Sequence, residues 1–464
     1  MDTPRDAEGE TVPTTRLSAL DASFLEVESA TAHMHVGWVA TFAPRDDRRR
    51  PTYNELLDHI AARIGRAPRY RQRLARVPFG VHDPEWADDD AFDPADHVRA
   101  SDAEHLDELV ADVLSRPLAR DRPLWELWIA DRLADGRVGM VGKAHHCMVD
   151  GIAAVELTTM LLDPEPDADA CEPDGWRAAP APRPVELLGR GILDRAREQL
   201  ELLSSPLAAL TSPRRLLSVP GHALRTARAV GDALVPSPGA SPFNEPSSPH
   251  RHLATLRRPL ADLRKVKARF GVTVNDVVLA ASAGATRDFL IERGSEPVRL
   301  KTMVPVNVRN GDDDELGNRI AFMFVALPCD EPDPLTRLFS VNHQTATRKR
   351  GGVPEEADAV MRAASYAPAP VQRVLSHLIA SPRTFNLVIS NIPGPRIPLY
   401  LRGCRLEEAY PVVPLSERHA VSIGMMTVGD DVCFGLYADR ETLPDAGVLA
   451  ERLDAAIDEL LALV

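Results

Sequence analysis

The sequence predicts an α/β protein of two lobes, each a mixed sheet with helices. Three observations carry that expectation. The chain has 464 residues, too many for one hydrophobic core and suited to two of about 200 residues each. Strand-like and helix-like stretches alternate through both halves. Between the halves, from Asp163 to about His250, the composition shifts to Pro, Ala, Glu and Asp and then to amphipathic stretches broken by Pro206, Pro213, Pro220 and Pro236. The expected division is a disordered tail at 1–15, a first lobe at 16–165, a helical connector at 166–250 and a second lobe at 251–464.

In the first lobe, Leu20 to Phe24 offers a short helical start and Met34 to Phe42 reads as a strand. Helices are expected near Tyr53 to Arg66 and Ala103 to Ser115. Leu124 to Asp131 and Val138 to His145 read as a hairpin around the turn Ala134-Asp135-Gly136-Arg137. After Gly151 the spacing of Ile152, Val155, Leu157, Met160 and Leu161 suits a helix. The connector offers helices at Val185 to Leu203 and Leu216 to Val235. The second lobe, from about Leu253, opens with a helix near Pro259 to Phe270 and continues with another at Val274 to Phe289. Leu300 to Val308, Ile320 to Leu327, Phe385 to Ser390, Val421 to Val428 and Val432 to Ala438 read as strands, with helices between Pro334 and Ala380. The last helix sets Leu449, Leu453, Ala456, Ile457, Leu460 and Val464 on one face.

Composition narrows the function. Apolar residues make up 44% and charged residues 26%, as in ordinary globular proteins. The net charge of −14 argues against nucleic acid as a partner, since phosphate binding needs a basic face. The apolar runs at Val277 to Ala285 and Ile320 to Leu327 are too short to span a bilayer. The acidic N-terminus, lacking an apolar run, does not read as a signal peptide, so a cytoplasmic location is expected. The five cysteines form no CxxC pair and no Cys/His cluster at zinc spacing, so no metal or disulfide is expected.

The run His145-His146-Cys147-Met148-Val149-Asp150-Gly151 concentrates the chemistry. Side chains alternate across a strand, so His145 and His146 face opposite ways and do not converge on one ion. One imidazole then faces a cavity while its neighbour packs inside. A neutral imidazole can take a proton from an attacking alcohol and later return one to the leaving group. Asp150 caps the following helix or pairs with a buried Arg, and Gly151 allows close approach of chain or ligand. Cys147, beside the histidines, reads as a small buried filler. A histidine at a strand end is usually structural, and Asp-Gly is usually a turn. The whole pattern is rarer, at roughly one chain in several hundred of this length.

The sequence resembles the bacterial wax ester synthase/diacylglycerol acyltransferase family from about Leu17 to Asp445. The resemblance rests on Leu17 to Phe24, Ala32 to Gly37, Pro123-Leu124-Trp125-Glu126, the histidine run, Asn275-Asp276, Met303 to Arg309, Leu316-Gly317-Asn318-Arg319 and Ser390-Asn391-Ile392-Pro393-Gly394-Pro395. It implies a fold like chloramphenicol acetyltransferase and peptide-synthetase condensation domains, in which two lobes sandwich a tunnel. The implied reaction moves a fatty acyl group from acyl-CoA, a co-substrate with no further cofactor, to diacylglycerol or a long-chain alcohol. On the resemblance His146 is the general base, His145 and Asp150 shape its loop, and Gly151 leaves room for substrate. Asn275 is a substrate or oxyanion contact or else a helix cap. Asn391 to Pro395 is a rigid turn whose Gly394 lets substrate pass closely or else bridges the lobes. Trp125 is expected in the core.

Between Arg183 and Val235 eight arginines face five acids. With the interspersed leucines they offer a basic amphipathic surface for peripheral contact with the inner membrane or lipid inclusions, or else helices bracing the lobes. Two alternatives stand beside this reading: acyl transfer to a different alcohol or amine acceptor, which shares the motif, and lipid binding without catalysis, against which the intact motif argues.

Overall fold

A computed structural model describes residues 15–45, 47–149, 161–168, 171–210, 241–307, 320–350 and 369–464. In the first half the described elements are β1 (Thr15–Arg16), α1 (Ala19–Val27), β2 (His35–Phe42), α2 (Tyr53–Arg63), β3 (Gln72–Ala75), β4 (Glu85–Asp88), β5 (Val98–Ala100), α3 (Leu106–Leu114), β6 (Trp125–Ala130), β7 (Val138–His145) and α4 (Pro184–Leu210). Then come β8 (Arg251–Pro259), α5 (Leu260–Phe270), α6 (Val274–Glu292), β9 (Leu300–Asn307), β10 (Ile320–Leu327), α7 (Pro334–Arg350) and α8 (Ala369–Ile379). The chain ends with β11 (Leu387–Ile392), β12 (Tyr400–Leu401), β13 (Cys404–Val412), β14 (Val421–Val428), β15 (Asp431–Asp439) and α9 (Ala446–Leu461). The expected helices after Gly151 and at Leu216 to Val235 lie outside the described residues, as does the N-terminal tail up to residue 14. Thr15 itself begins β1.

Two six-stranded sheets form the lobes, in the orders β12-β13-β2-β7-β6-β5 and β10-β9-β11-β14-β15-β8. Both are mixed: β5 runs parallel to β6, and β11 runs parallel to both β9 and β14. Every residue of β2 and β7 is buried, which explains why these central strands read as nearly unbroken apolar runs. A third, three-stranded sheet has the order β1-β4-β3.

The chain exchanges material between the lobes. The first sheet takes β12 and β13 from residues far along the sequence, β13 pairing with β2 so that Tyr410 lies opposite Val39. The same strand crosses the second sheet. A Cβ on Gly435 would stand 2.3 Å from the Pro411 carbonyl oxygen, and one on Gly424 2.8 Å from the Pro411 ring. Only glycine admits that approach of two backbones.

Two elements differ from expectation. The second lobe opens with the strand β8, ahead of the expected helix; from Ala254 to Pro259 its residues alternate between half-buried and exposed at the sheet edge, and Pro259 is tolerated there because it ends the strand. In α9 the residues Leu449, Leu453, Ala456, Ile457 and Leu460 are buried as the spacing predicts, but Val464 lies past the helix end and is 51% exposed.

Candidate active site

β7 delivers the two histidines and then stops. The His145 N–H donates to the Leu124 carbonyl (2.9 Å) and the His146 N–H to the Met34 carbonyl (2.9 Å). The chain then turns, with the Met148 N–H donating back to the His145 carbonyl (2.9 Å). His145 and His146 thus separate, as strand alternation predicts. The His145 side chain is fully buried. Its Nδ1 accepts from the Cys147 N–H (3.1 Å), while Nε2 lies 3.7 Å from Glu28 Oε1 and 3.4 Å from Arg120 Nη2. Burial, with help from the Arg120 guanidinium and from His146, pushes the His145 pKa well below the ordinary histidine value. It is a neutral residue at physiological pH.

His146 is only half-buried. Its ring stacks on Phe24, with centroids 3.8 Å apart and planes within 5°. Phe24 also lines a cavity of about 60 Å³ together with Met34, Met303, Phe322, Ile379 and Phe385. These residues come from both lobes: Phe24 and Met34 flank the first sheet, Met303 and Phe322 belong to β9 and β10 of the second. The apolar wall suits hydrocarbon, and the half-exposed imidazole beside it suits proton transfer.

The other candidates fall as follows. Asp150 and Gly151 lie outside the described residues. Asn275 is in the first turn of α6, half-buried, but it is not the cap. Thr273 caps the helix: it accepts from the Asp276 N–H (3.1 Å), and its own N–H donates to the Asp276 carboxylate (2.9 Å). Asp276 is buried and accepts from Thr345 Oγ1 (2.6 Å) and Asn342 Nδ2 (3.0 Å), so the neighbour of Asn275 is tied into helix packing. Asn391 is the exposed penultimate residue of β11, opposite Met425 of β14, and so belongs to a strand rather than to the turn that follows. A Cβ on Gly394 would meet the Thr427 carbonyl oxygen at 1.8 Å; its missing side chain serves contact with β14. No described hydrogen bond or ion pair joins Asn275, Asn391 or Gly394 to the histidine turn. Cys147 is buried, and burial raises its thiol pKa far above the ordinary value, so it holds no thiolate. Trp125 is buried and donates through Nε1 to the Tyr70 carbonyl (2.8 Å).

Comparison with known proteins decides the family. Residues 17–278 match the wax ester synthase/diacylglycerol acyltransferase catalytic domain, and residues 316–461 match the C-terminal domain of the same family. A probable diacylglycerol O-acyltransferase of Mycobacterium tuberculosis is 34% identical over 460 residues, covering 96% of each chain. The chain belongs to the wax ester synthase/diacylglycerol acyltransferase family. It is therefore an acyltransferase. Among solved structures, the wax ester synthase/diacylglycerol acyltransferase from Marinobacter aquaeolei VT8 superposes with a TM-score of 0.69 at 25% identity, covering 96% of this chain and 98% of that one. The first condensation domain of the calcium-dependent antibiotic synthetase shares the fold (TM-score 0.59, 16% identity, 97% of each chain covered).

Three residues around this acyltransferase's histidines escaped sequence reasoning: Phe24, Glu28 and Arg120. Phe24 lies within a stretch that carries the family resemblance, but nothing local says that α1 lies across the histidine turn. Glu28 follows α1 as its C-cap. A carboxylate seven residues before the strand that pairs with the histidine strand is a faint signal, and Arg120 gives none.

Proposed function

We propose that the protein transfers a long-chain fatty acyl group from acyl-CoA to the hydroxyl of diacylglycerol, and also to long-chain alcohols, with His146 as the general base. The observation that carries this reading is the half-buried His146 imidazole set on Phe24 at the edge of an apolar cavity built from both lobes. The imidazole takes the proton of the acceptor hydroxyl as its oxygen attacks the thioester carbonyl. The tetrahedral intermediate collapses with cleavage of the C–S bond, and the imidazolium returns the proton to the departing CoA sulfur. No acyl-enzyme is required, and the buried Cys147 thiol takes no part. His145 and Asp150 shape the turn, Gly151 leaves space beside it, and Asn275, Asn391 and Gly394 border the substrate path.

The names of the relatives favour diacylglycerol as acceptor, and the apolar cavity favours lipid over a polar alcohol or amine. The test is turnover of labelled palmitoyl-CoA by the purified protein with dioleoylglycerol or hexadecanol. Triacylglycerol or wax ester supports the reading; acyl-CoA binding with no neutral lipid formed sinks it in favour of a lipid-binding role.

Contact with a lipid surface belongs to the same proposal. Among the described residues no helix is long and apolar enough to cross a membrane. Instead α4 presents an unusual face. Its charged side lies inward, through Arg16–Asp194 (2.8 Å), Arg190–Glu85 (3.3 Å) and His82–Glu198 (3.0 Å). Its outward side carries Val185, Ile192, Leu193 and Leu200, all exposed, with Phe79 93% exposed on the adjoining turn. Exposed apolar groups flanked by the exposed Arg183 and Arg197 side chains suit a surface seated on lipid.

A further inference from the structure

We propose that Glu28, paired with Arg120, is a positioning residue for acyl transfer: it fixes the ring of His145 and thereby the turn that presents His146. The inference rests on the assignment of His146 as base and adds a carboxylate that acts through its neighbour.

The contacts of His145 fix which of its ring nitrogens carries the proton. The Cys147 N–H points at Nδ1 at 3.1 Å, so Nδ1 must accept. A neutral imidazole has one acceptor nitrogen and one N–H. Nε2 is therefore the N–H, and it faces Glu28 Oε1 at 3.7 Å. Arg120 Nη2 also points at this nitrogen, from 3.4 Å, but a neutral ring cannot accept at both nitrogens; the shorter Cys147 contact decides, and the guanidinium is taken up by the Glu28 carboxylate, with which it forms a close ion pair. Glu28 thus holds a guanidinium and stands next to an imidazole N–H at once. The His145 ring is thus hydrogen-bonded at Nδ1 by the backbone of its own turn and faces the Glu28–Arg120 pair at Nε2.

Holding this ring matters because the turn contains His146. The Cys147 N–H that holds His145 Nδ1 belongs to the residue directly after His146, and the Met148 N–H closes the turn on the His145 carbonyl (2.9 Å). If the His145 ring rotates, the Cys147 amide loses its buried acceptor, at a cost of order 1–3 kcal/mol, and the turn relaxes. The same helix end steadies His146 from the other side, since Phe24, one turn before Glu28, stacks on its ring. α1 is itself fixed at both ends. Ser18 caps it by accepting from the Asp21 N–H (3.1 Å), and Glu26 pairs with Arg373 of α8 in the second lobe (2.6 Å). Carboxylates that orient a histidine through its distal N–H are a recurrent device for fixing tautomer and ring plane.

The test compares Glu28→Ala, Glu28→Gln and His146→Ala with the wild type for kcat and KM on palmitoyl-CoA, alongside NMR of 15N-histidine-labelled wild-type protein. Glu28→Ala should lower kcat at least about tenfold through misplacement of the base, with KM within about twofold. Glu28→Gln, which keeps an oxygen facing Nε2, should recover most of that loss, a rescue that a merely structural role would not produce. In the wild type the His145 signals, assigned by loss in a His145→Asn variant, should show the Nε2–H tautomer, a readout that needs no folded Glu28 variant. Equal loss in the Ala and Gln variants, unchanged kcat in both, or an Nδ1–H tautomer overturns the proposal. If His146→Ala is as active as wild type, the base assignment fails instead, whatever Glu28 does.

Discussion

His59 is held neutral by its burial and by the Arg63 charge. Arg63 Nη1 donates to Nδ1 (2.8 Å), and Nε2 donates to the Leu161 carbonyl (2.8 Å). Burial, opposed by the Leu161 hydrogen bond and aided by the Arg63 charge, draws its pKa down to about 4. In the unfolded chain a histidine titrates near 6.5, so between the two values the unfolded state binds more protons and acid favours unfolding. The contribution is complete above about pH 6.5 and is lost as the pH falls toward 4, with a slope of at most about 1.4 kcal/mol per pH unit. Thermal unfolding of the wild type should therefore fall more steeply across this window than that of His59→Gln. Parallel curves would show that His59 is not the group responsible. At this scale the sequence was informative where chemistry is contiguous. His145 and His146 sit side by side, and strand alternation alone put them on opposite faces, while the choice of His146 as base came from the family resemblance. Phe24, Glu28 and Arg120 were hidden because they reach the turn from α1 and from the loop before β6. Asn275 looked like a cap because an asparagine at a helix start usually is one, and Thr273 with Asp276 had already taken that task.

Among the elements, α4 separates two ideas about lipid contact. The excess of arginine in the connector suggests a basic surface laid on an anionic membrane, yet Arg190 and Arg195 are engaged in ion pairs, with Glu85 (3.3 Å) and Glu198 (3.0 Å). The outward face carries Val185, Ile192, Leu193 and Leu200, with Arg183 and Arg197 exposed beside them. Flotation with neutral-lipid-containing phosphatidylcholine vesicles should accordingly survive high salt and be lost in a Phe79→Asp/Leu193→Asp double variant. Flotation that is abolished by salt, or indifferent to the variant, would contradict an apolar contact. Elements with an apolar run or a clean helical period were legible: β2, β7, β9, β10, β14, β15, α6 and α9 were all expected near where they lie. β13 was not. A register shift between Leu406 and Glu408 breaks its alternation, and Pro411 adds a residue that strands rarely hold.

The whole molecule depends on that overlooked strand. β12 and β13 supply two strands of the first sheet and also cross the second at Pro411, so the lobes are interleaved rather than strung in sequence. A fragment ending at residue 250 would leave the buried strand β2 with an open edge, which invites aggregation. It should be insoluble alone and be rescued by co-expression with residues 251–464; a monomeric, cooperatively folding fragment would contradict the interleaving. An apolar cavity lies between α1 and the second sheet, and Phe24 on its wall stacks on His146. The central claim, that His146 is the base of an acyl transfer performed there, is tested most directly by turnover of palmitoyl-CoA with dioleoylglycerol in His146→Ala. The expected result is a fall in kcat of roughly 100-fold or more with an unchanged melting temperature. Near wild-type turnover in the folded variant would contradict it.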